Sequence, residues 1–390
     1  MSPIRKRILR PIEKFLAMES ASGILLGACT LVAMGLANSG LSDFYFSTLH
    51  LNIFGMSVHH WINDGLMAIF FFVVGMEIKR ELVKGELATA KKAALPFAAA
   101  IGGMVGPGLI YYLLNPSNPG VRGWGIPMAT DIAFAVGILS LFGRRVPLPL
   151  KIFLLALAIV DDLGAVVLIA VFYSKGIVGE ALAVGLGGLG LIFIARRMGI
   201  KSYVPYVVIG AGVWFAVLQS GVHATVAGVL IGLLTPDRFP RSSAKKEFFS
   251  PIDDLVHLLH PWVGFGIMPI FALANAGVSL VGVDIITIVQ NSIHQGVVLG
   301  LFLGKPIGIL VASFIAVKAG VAQLPRSVDW PDIFGVGLLA GIGFTMALFI
   351  SGLALPAEFE VFSKTGILLG SLVSAAFGAL TLYFVLNRPR

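Results

Sequence analysis

The sequence predicts an all-α polytopic membrane protein of about twelve transmembrane helices. Three observations predict this class: 57% of the 390 residues are hydrophobic, only 12% are charged, and long apolar stretches recur along the chain. Soluble domains carry roughly 25% charged residues, so the composition excludes a cytosolic enzyme, a nucleic-acid-binding protein and a disordered chain. The single cysteine, Cys29, excludes a disulfide scaffold and a thiolate metal site.

Apolar stretches of about 20 residues define the predicted spans, because that length crosses the hydrocarbon core of a bilayer. The eighth stretch is shorter than the others. No segment is polar enough to form a separate soluble domain, so we predict a single membrane domain over residues 1–390, and we interpret residues 236–254 as a cytoplasmic loop between two halves. The predicted spans are 15–38, 59–80, 93–114, 124–143, 150–173, 178–195, 203–219, 222–235, 255–280, 291–317, 333–353 and 363–386.

The distribution of lysine and arginine predicts the orientation. With the N-terminus in the cytoplasm, 24 of the 28 basic residues fall in cytoplasmic segments, three fall outside, and Lys305 falls within a span. This bias follows the positive-inside rule, so we expect both termini in the cytoplasm. The basic N-terminal segment has no small-residue cleavage site before the first span, and we interpret it as an anchor rather than a signal peptide.

Residues 47–58, STLHLNIFGMSV, alternate weakly between apolar and polar positions around Gly55. This pattern predicts a short external β-hairpin, with an irregular loop as the alternative.

Few ionisable residues fall within or beside the predicted spans. In lipid such side chains are costly, and they usually face a cavity, a partner or a transport pathway. They are therefore the candidate functional residues: Asp64, Asp131, Asp161, Asp162 and Lys305, with Glu77 at the end of one span and His223 near the end of another.

Asp161 and Asp162 are adjacent in the otherwise apolar stretch LALAIVDDLGAVVLIA. On a helix, adjacent side chains point about 100° apart, so one carboxylate can face an ion while the other faces a partner. Close carboxylates titrate as a coupled pair, and their oxygens are ligands for hard cations. The pair can therefore hold either protons or a small cation, which is the requirement for exchange. The alternative is a pair of capped, purely structural aspartates.

Asp131 follows Pro127 and Thr130, and both of these residues interrupt helical hydrogen bonding. We predict a broken helix at this position, in which the carboxylate neutralises the positive N-terminal end of a half-helix. Lys305 is the only basic residue deep within a span, so it needs Asp131, Asp161 or a set of carbonyl groups as its partner. It forms either a structural salt bridge or a proton-carrying group.

A second interruption is predicted in span 333–353, where Gly341, Gly343 and Thr345 offer flexible backbone within an apolar stretch. Two interrupted spans, one in each half of the chain, are the sequence pattern of a transporter binding site. The three spans over 93–173 begin inside, whereas those over 291–386 begin outside. We therefore predict inverted three-helix repeats, surrounded by the remaining helices over 15–80 and 178–280, which include the dimer interface.

The chain resembles the NhaA-type sodium/proton antiporter family over nearly its whole length. The resemblance rests on TDIAFAVGIL, LALAIVDDLGA, SGVHATVAGV, GKPIGI, GIGFTM and FFFVVGMEIKREL, which occur in the family's order. It implies two crossed broken helices and an electrogenic, pH-regulated exchange of cytoplasmic Na⁺ or Li⁺ for two external protons. It further implies a homodimer in the bacterial inner membrane, in contact with lipid and without a cofactor.

The resemblance also assigns roles to single residues. Asp162 matches the principal cation-binding aspartate, and Asp161 matches the neighbour that takes part in ion and proton binding and pairs with Lys305. Asp131 and Thr130 match the site at the first broken helix. Lys305 matches the lysine that balances the negative ends of the crossed half-helices.

Other family positions are tied to regulation and structure. Glu77, His223 and His257 match positions of the pH response. The family often has an acidic residue directly before this last histidine, but here it is preceded by Val256. Asp64, Gly341 and Gly343 are assigned structural roles, and the hairpin at 47–58 takes the place of the family's dimer-forming hairpin.

Three other classes compete with an antiporter. A cation channel needs the same carboxylates but moves no protons in return. An intramembrane aspartyl protease uses two membrane aspartates, but its GxGD sequence is absent here. A retinal-binding pump would use Lys305 as a Schiff base, yet that class has seven spans.

Overall fold

The computed structural model describes residues 21–117, 119–174, 176–200, 202–237, 239–242 and 247–388, and it is mostly helical. The basic N-terminal segment and the first six residues of the predicted span 15–38 lie outside the described residues. The described helices are α1 (Ala21–Ala37), α2 (Ser42–His50), α3 (Val58–Lys84), α4 (Ala90–Leu114), α5 (Ile132–Leu141), α6 (Leu148–Phe172), α7 (Gly179–Arg197), α8 (Tyr203–Gln219), α9 (Ala224–Leu234), α10 (Pro251–Asn275), α11 (Ile285–Gln290), α12 (Ser292–Lys318), α13 (Trp330–Ala340), α14 (Phe344–Ala354) and α15 (Glu360–Leu386), with short 3-10 helices at Gly120–Met128, Gly143–Arg145 and Ala357–Phe359.

Helix length and composition confirm an all-α membrane protein. Within the described residues, eight helical segments are long and apolar enough to cross a bilayer, and two bent pairs raise that number to as many as ten. The shorter apolar helices α8 and α9 coincide with the seventh and eighth predicted spans. The full count of twelve remains a prediction. The eight segments are Val58–Lys84, Ala90–Leu114, Gly120–Leu141, Leu148–Phe172, Gly179–Arg197, Pro251–Asn275, Ser292–Lys318 and Ala357–Leu386.

Three of the long helices contain a π-helical turn. These turns are Trp61–Leu66 in α3, Val263–Ile267 in α10 and Gly300–Gly304 in α12, and the last of them ends directly before Lys305. Such turns insert an extra residue into an α-helix and are frequent at functional positions. Here they mark segments that carry ionisable residues or contact other helices closely.

The predicted β-hairpin is present but shorter than the predicted segment 47–58, because residues 47–50 belong to α2 and Val58 begins α3. Asn52–Ile53 pairs antiparallel with Met56–Ser57, and the two turn residues between them both have positive φ, 52° at Phe54 and 84° at Gly55. Two positive φ values are the geometry of the tight turn that matches the twist of a hairpin, and glycine adopts it without strain. The paired part is only two residues long on each strand.

Residues 236–254, which we interpret as a cytoplasmic loop, contain a second pair of short strands. Phe239–Ser242 pairs antiparallel with Glu247–Phe249, with a register shift between Pro240 and Ser242. The proline, serine and lysine residues of this segment are typical of loops. The two strands show no alternation of apolar and polar residues, so the sequence did not predict that they pair.

Glycines bring α4 and α12 into direct backbone contact. A Cβ atom added at Gly106 would lie 3.1 Å from the Cα atom of Gly308, and one added at Gly304 would lie 2.6 Å from the Cα atom of Pro107. Small residues at such interfaces let the helix backbones approach closely. The contact carries Lys305, next in sequence to one of these glycines, into the interior between the helices.

Both predicted breaks are present. The first separates the 3-10 helix Gly120–Met128 from α5. The second separates α13 from α14, which are bent by 49°. The first half of the first broken span is a 3-10 helix rather than the α-helix that an apolar pattern suggests. Its glycines let it pass close to neighbouring aromatic side chains, since a Cβ atom at Gly125 would lie 2.8 Å from the hydroxyl oxygen of Tyr173.

Candidate functional site

The two breaks are hydrogen-bonded to each other. The Thr130 hydroxyl donates to the carbonyl oxygen of Ala340 over 2.9 Å, and the Asp131 backbone N–H donates to the carbonyl oxygen of Ile342 over 2.6 Å. Interrupted helices leave backbone groups without intrahelical partners, and in an apolar interior these groups must be satisfied by other means. Here each break supplies partners to the other, so the two broken helices meet as predicted.

Asp131 caps two helices with one carboxylate. Its Oδ1 accepts the backbone N–H of Phe134 over 3.1 Å, at the start of α5. Its Oδ2 accepts the backbone N–H of Thr345 over 3.1 Å, at the start of α14, and also accepts the Thr345 hydroxyl. The side chain is buried, at 1% exposure. The sequence predicted neutralisation of one half-helix, and the structure adds a second.

Ser371 is a member of this site that the sequence reasoning missed. Its hydroxyl oxygen accepts the backbone N–H of Phe344 over 3.1 Å, so it satisfies another free group at the start of α14. Serines within apolar helices are common, and only the meeting of α15 with the break identifies this one.

Asp131 lies at the positive N-terminal ends of two helices, whereas Lys305 lies at the negative C-terminal end of a third. Its ammonium donates to the Oδ2 of Asp161 over 2.8 Å and to the carbonyl oxygen of Met128, the last residue of the 3-10 half-helix. The C-terminal end of a helix carries a partial negative charge that a cation stabilises. Of the two carboxylates considered as partners, Asp161 forms the ion pair, whereas Asp131 caps the helices.

Asp161 and Asp162 lie side by side in the middle of α6, and both are buried, at 3% and 2% exposure. The second oxygen of Asp161, Oδ1, has no hydrogen-bond partner among the described residues. No ion pair links Asp162 to any described cation. Buried carboxylate oxygens normally have hydrogen-bond or ion-pair partners. The Oδ1 of Asp161 and the carboxylate of Asp162 are therefore available to bind a proton or a hard cation.

The break between α13 and α14 needs glycine for space rather than for flexibility. Gly341 and Gly343 have φ values of −68° and −87°, which any residue adopts. A Cβ atom at Gly343, however, would lie 3.1 Å from the carbonyl oxygen of Ala129 and 2.8 Å from the Cδ2 atom of Leu301. Our interpretation of these glycines as flexible backbone is therefore corrected, because the crossing leaves no room for side chains.

We predict that Gly343→Ala weakens both stability and transport. The added methyl group would push the two breaks apart, and overpacking of this kind costs about 1–3 kcal/mol. The matched control is Gly212→Ala in α8, because a Cβ atom there meets nothing within 4 Å. Thermal unfolding of the purified variants and sodium-dependent proton flux test this, and equal behaviour of both variants would contradict it.

The residues assigned to the pH response fall elsewhere. Glu77 lies in α3, and its Oε1 is 3.4 Å from the Nδ1 of His260. His257, the histidine singled out from the sequence, is exposed one turn earlier on α10. The structure places His260, rather than His257, beside Glu77. The two histidines are three residues apart on one helix, and this spacing is the sequence signal that connects them.

Asp64 and His223 lie together towards the other end of α3. Asp64 belongs to the π-helical turn Trp61–Leu66, and its Oδ1 is 3.8 Å from the Nδ1 of His223. Its Oδ2 is 3.1 Å from the Nε2 of His60, a residue that the sequence reasoning did not select. Within the described residues, His60, Asp64 and His223 form a cluster of their own, without a hydrogen bond or ion pair to Asp131, Asp161, Asp162 or Lys305.

Known antiporters are similar to this chain over nearly its whole length. The family model described as Na+/H+ antiporter 1 matches residues 13–382. The chain is similar to the Na(+)/H(+) antiporter NhaA of Vibrio campbellii, with 50% identity over 381 residues, covering 97% of this chain and 96% of that protein. It is 50% identical over 374 residues to the Na(+)/H(+) antiporter NhaA 2 of Pseudomonas syringae pv. syringae, covering 95% and 94%. It is 47% identical over 392 residues to the Na(+)/H(+) antiporter NhaA of Pelagibacter ubique, covering 98% of each.

Proposed function

The chain belongs to the Na⁺/H⁺ antiporter 1 family, and from this premise we propose how its own residues carry out sodium/proton antiport. It is a transporter rather than an enzyme, and a multi-pass protein of the bacterial inner membrane. We propose that Asp162 and Asp161 bind the transported ion. The observation that carries this proposal is a pair of adjacent buried carboxylates next to the crossed breaks, in which the Oδ1 of Asp161 has no hydrogen-bond partner among the described residues and no described cation pairs with Asp162.

Competition for the same carboxylates couples the two ions. At alkaline cytoplasmic pH, Asp161 and Asp162 are deprotonated and a dehydrated sodium ion, or lithium ion, binds at Asp162. The loaded site is then exposed to the outside, where protons displace the cation. Each ion shifts the inward–outward equilibrium only by its differential affinity for the two states. Because sodium and protons cannot occupy these oxygens together, obligatory exchange needs no separate coupling device.

The charges of the site support electrogenic exchange. With Asp161 and Asp162 ionised and Lys305 protonated, the three side chains carry one net negative charge. One sodium ion brings this charge to zero, whereas two protons bring the same site to one positive charge. Exchange of two protons for each sodium ion therefore moves one net charge per cycle. Asp162 carries one of these protons. Asp161 carries the other if Lys305 stays protonated throughout, whereas Lys305 carries it if Lys305 is neutral while sodium is bound, and the net charge moved per cycle is the same.

The rest of the predicted architecture completes the proposal. Twelve spans, with inverted repeats over 93–173 and 291–386, place both termini in the cytoplasm, as the distribution of basic residues supports. Glu77 beside His260, together with His223 and His257, forms the pH response. The hairpin at Asn52–Ser57 joins two copies into a homodimer.

A transport assay in proteoliposomes tests this function. Sodium and lithium gradients are expected to drive proton flux, and the null point reports the stoichiometry. With the voltage clamped at zero, a tenfold sodium gradient is balanced by about half a pH unit if two protons exchange for one sodium, and by about one unit for one-to-one exchange. Sodium current without proton counterflow would favour a channel. Asp161→Asn and Lys305→Arg, compared in the same assay, show which of the two residues carries the second proton.

A further inference from the structure

A cavity of about 360 Å³ lies among helix ends, and six of its lining side chains are titratable. Three of the seven histidines of the chain line it, together with two carboxylates and one tyrosine. Every lining segment belongs to the predicted external end of its span or to the turn that follows it. The titratable lining residues are His59, His60, Asp64, Tyr173, His223 and Glu360.

Asp64 lies between two imidazoles of this cavity. Its Oδ2 is 3.1 Å from the Nε2 of His60, and its Oδ1 is 3.8 Å from the Nδ1 of His223. The Nδ1 of His223 is buried and has no hydrogen-bond partner among the described residues. The side chain of His60 is 50% exposed, whereas those of Asp64 and His223 are 15% and 20% exposed. The Asp64 carboxylate therefore lies within 4 Å of one imidazole nitrogen on each side.

The other titratable groups around the cavity already have partners. His59 is 3.1 Å from the Oδ1 of Asn275 through its Nε2. Glu360 forms an ion pair of 2.6 Å with Lys364, one turn further along α15. The hydroxyl of Tyr173 donates to a backbone carbonyl over 2.8 Å. His60, Asp64 and His223 instead lie against one another and form a separate group within the cavity.

The floor of the cavity lies close to the crossed breaks. Phe349 lines the cavity, and it is four residues after Thr345, whose hydroxyl and N–H bind Asp131. At 1.5 Å per residue, four residues of helix span about 6 Å. Phe349 packs against Phe71 and Phe271, with ring centroids 5.7 and 6.2 Å away. Phe349 therefore connects the cavity lining to an aromatic cluster that lies about one helical turn from the crossed breaks.

We propose that His60, Asp64 and His223 form an external proton-loading site. A proton from the external solution binds the exposed imidazole of His60 and is stabilised as an imidazolium beside the Asp64 carboxylate. It then passes to the intramembrane aspartates, and the imidazole returns to its neutral form. The proposal rests on the proposed function, because it takes the Val58 end of α3 as external. The site raises the supply of protons at the external face when few are free in solution.

Sodium efflux from right-side-out vesicles tests the loading site. Vesicles are loaded with sodium at fixed internal pH, and the initial efflux rate is measured across a range of external pH. For His60→Gln we expect the external pH of half-maximal efflux to fall by about one unit, because fewer protons are then captured at a given external pH. Asp64→Asn removes the stabilising charge and is expected to shift the profile in the same direction. Neither variant should change the dependence of efflux on internal pH, which a general structural defect would alter.

His50→Gln is the matched control. This histidine is exposed on the same predicted face, its Nδ1 is 2.7 Å from the carbonyl oxygen of Phe46, and it does not line the cavity. It should leave both pH profiles unchanged. External profiles of His60→Gln and Asp64→Asn that match wild type would overturn the loading site alone, as would a shift confined to internal pH. Wild-type efflux that is insensitive to external pH would contradict the proposed exchange itself.

Discussion

Replacement of Asp162 by asparagine is expected to abolish sodium-dependent proton movement. Asparagine keeps the size of the side chain and one carbonyl oxygen, but it carries no charge and does not titrate. Sodium then loses its principal anionic ligand, and the site loses the proton that competes with it. Because no described cation pairs with Asp162, the neutral side chain removes a buried charge without leaving a partner behind. The variant should therefore fold and reach the membrane.

Everted membrane vesicles provide the measurement. An imposed pH gradient is followed with a fluorescent dye, and its collapse on addition of sodium reports exchange. The control is Asp284→Asn, because Asp284 caps the short helix Ile285–Gln290 and asparagine is an equally good N-cap. The control should retain the sodium response in full. Sodium-dependent proton movement in Asp162→Asn, at matched amounts of protein, would disprove the assignment of the ion site.

Lys305→Met is expected to lower stability by about 3–5 kcal/mol and to eliminate transport. The substitution leaves the Asp161 carboxylate buried without its ion-pair partner, and it removes the donor to the Met128 carbonyl group. Loss of one partner of a buried pair is strongly destabilising because the other charge stays desolvated. The double variant Lys305→Met/Asp161→Asn removes both charges, so it should regain most of the stability while staying inactive.

Thermal unfolding of the purified variants separates these effects. Lys92→Met serves as the control, because Lys92 forms an exposed ion pair of 3.5 Å with Glu86. Exposed pairs of this kind contribute about 0–1 kcal/mol, so this variant should unfold close to wild type. Equal stability of the single and double Lys305 variants would show that the buried ion pair does not govern folding.

The positions of the spans were predictable because a bilayer imposes a minimum apolar length. The span predicted at 150–173 is Leu148–Phe172, and the one predicted at 291–317 is Ser292–Lys318. Local conformation was less predictable. Glycine and proline at 120–128 suit several tight conformations, and contacts with neighbouring helices select the 3-10 helix.

The charged members of the site were also predictable, since ionisable groups are rare in apolar spans. Their pairing was not. The apolar pattern left Asp131 and Asp161 as alternative partners for Lys305, and only the family resemblance pointed to Asp161, because the choice depends on which helices meet. The same holds for Ser371 at the start of α14 and for His260 beside Glu77. Each of these contacts joins residues that are distant along the chain, so the local sequence pattern does not predict them.

The hydrogen bonds between the two breaks limit where motion can occur during transport. Thr130 and Asp131 together make four contacts with the other break, at Ala340, Ile342 and Thr345. Separating buried partners of this kind costs about 1–3 kcal/mol for each group left unsatisfied. That sum exceeds the few kcal/mol that separate two populated conformations of a protein. We therefore expect the crossing to stay intact during exchange, so that any movement which exposes the site to either side of the membrane occurs in the helices around it.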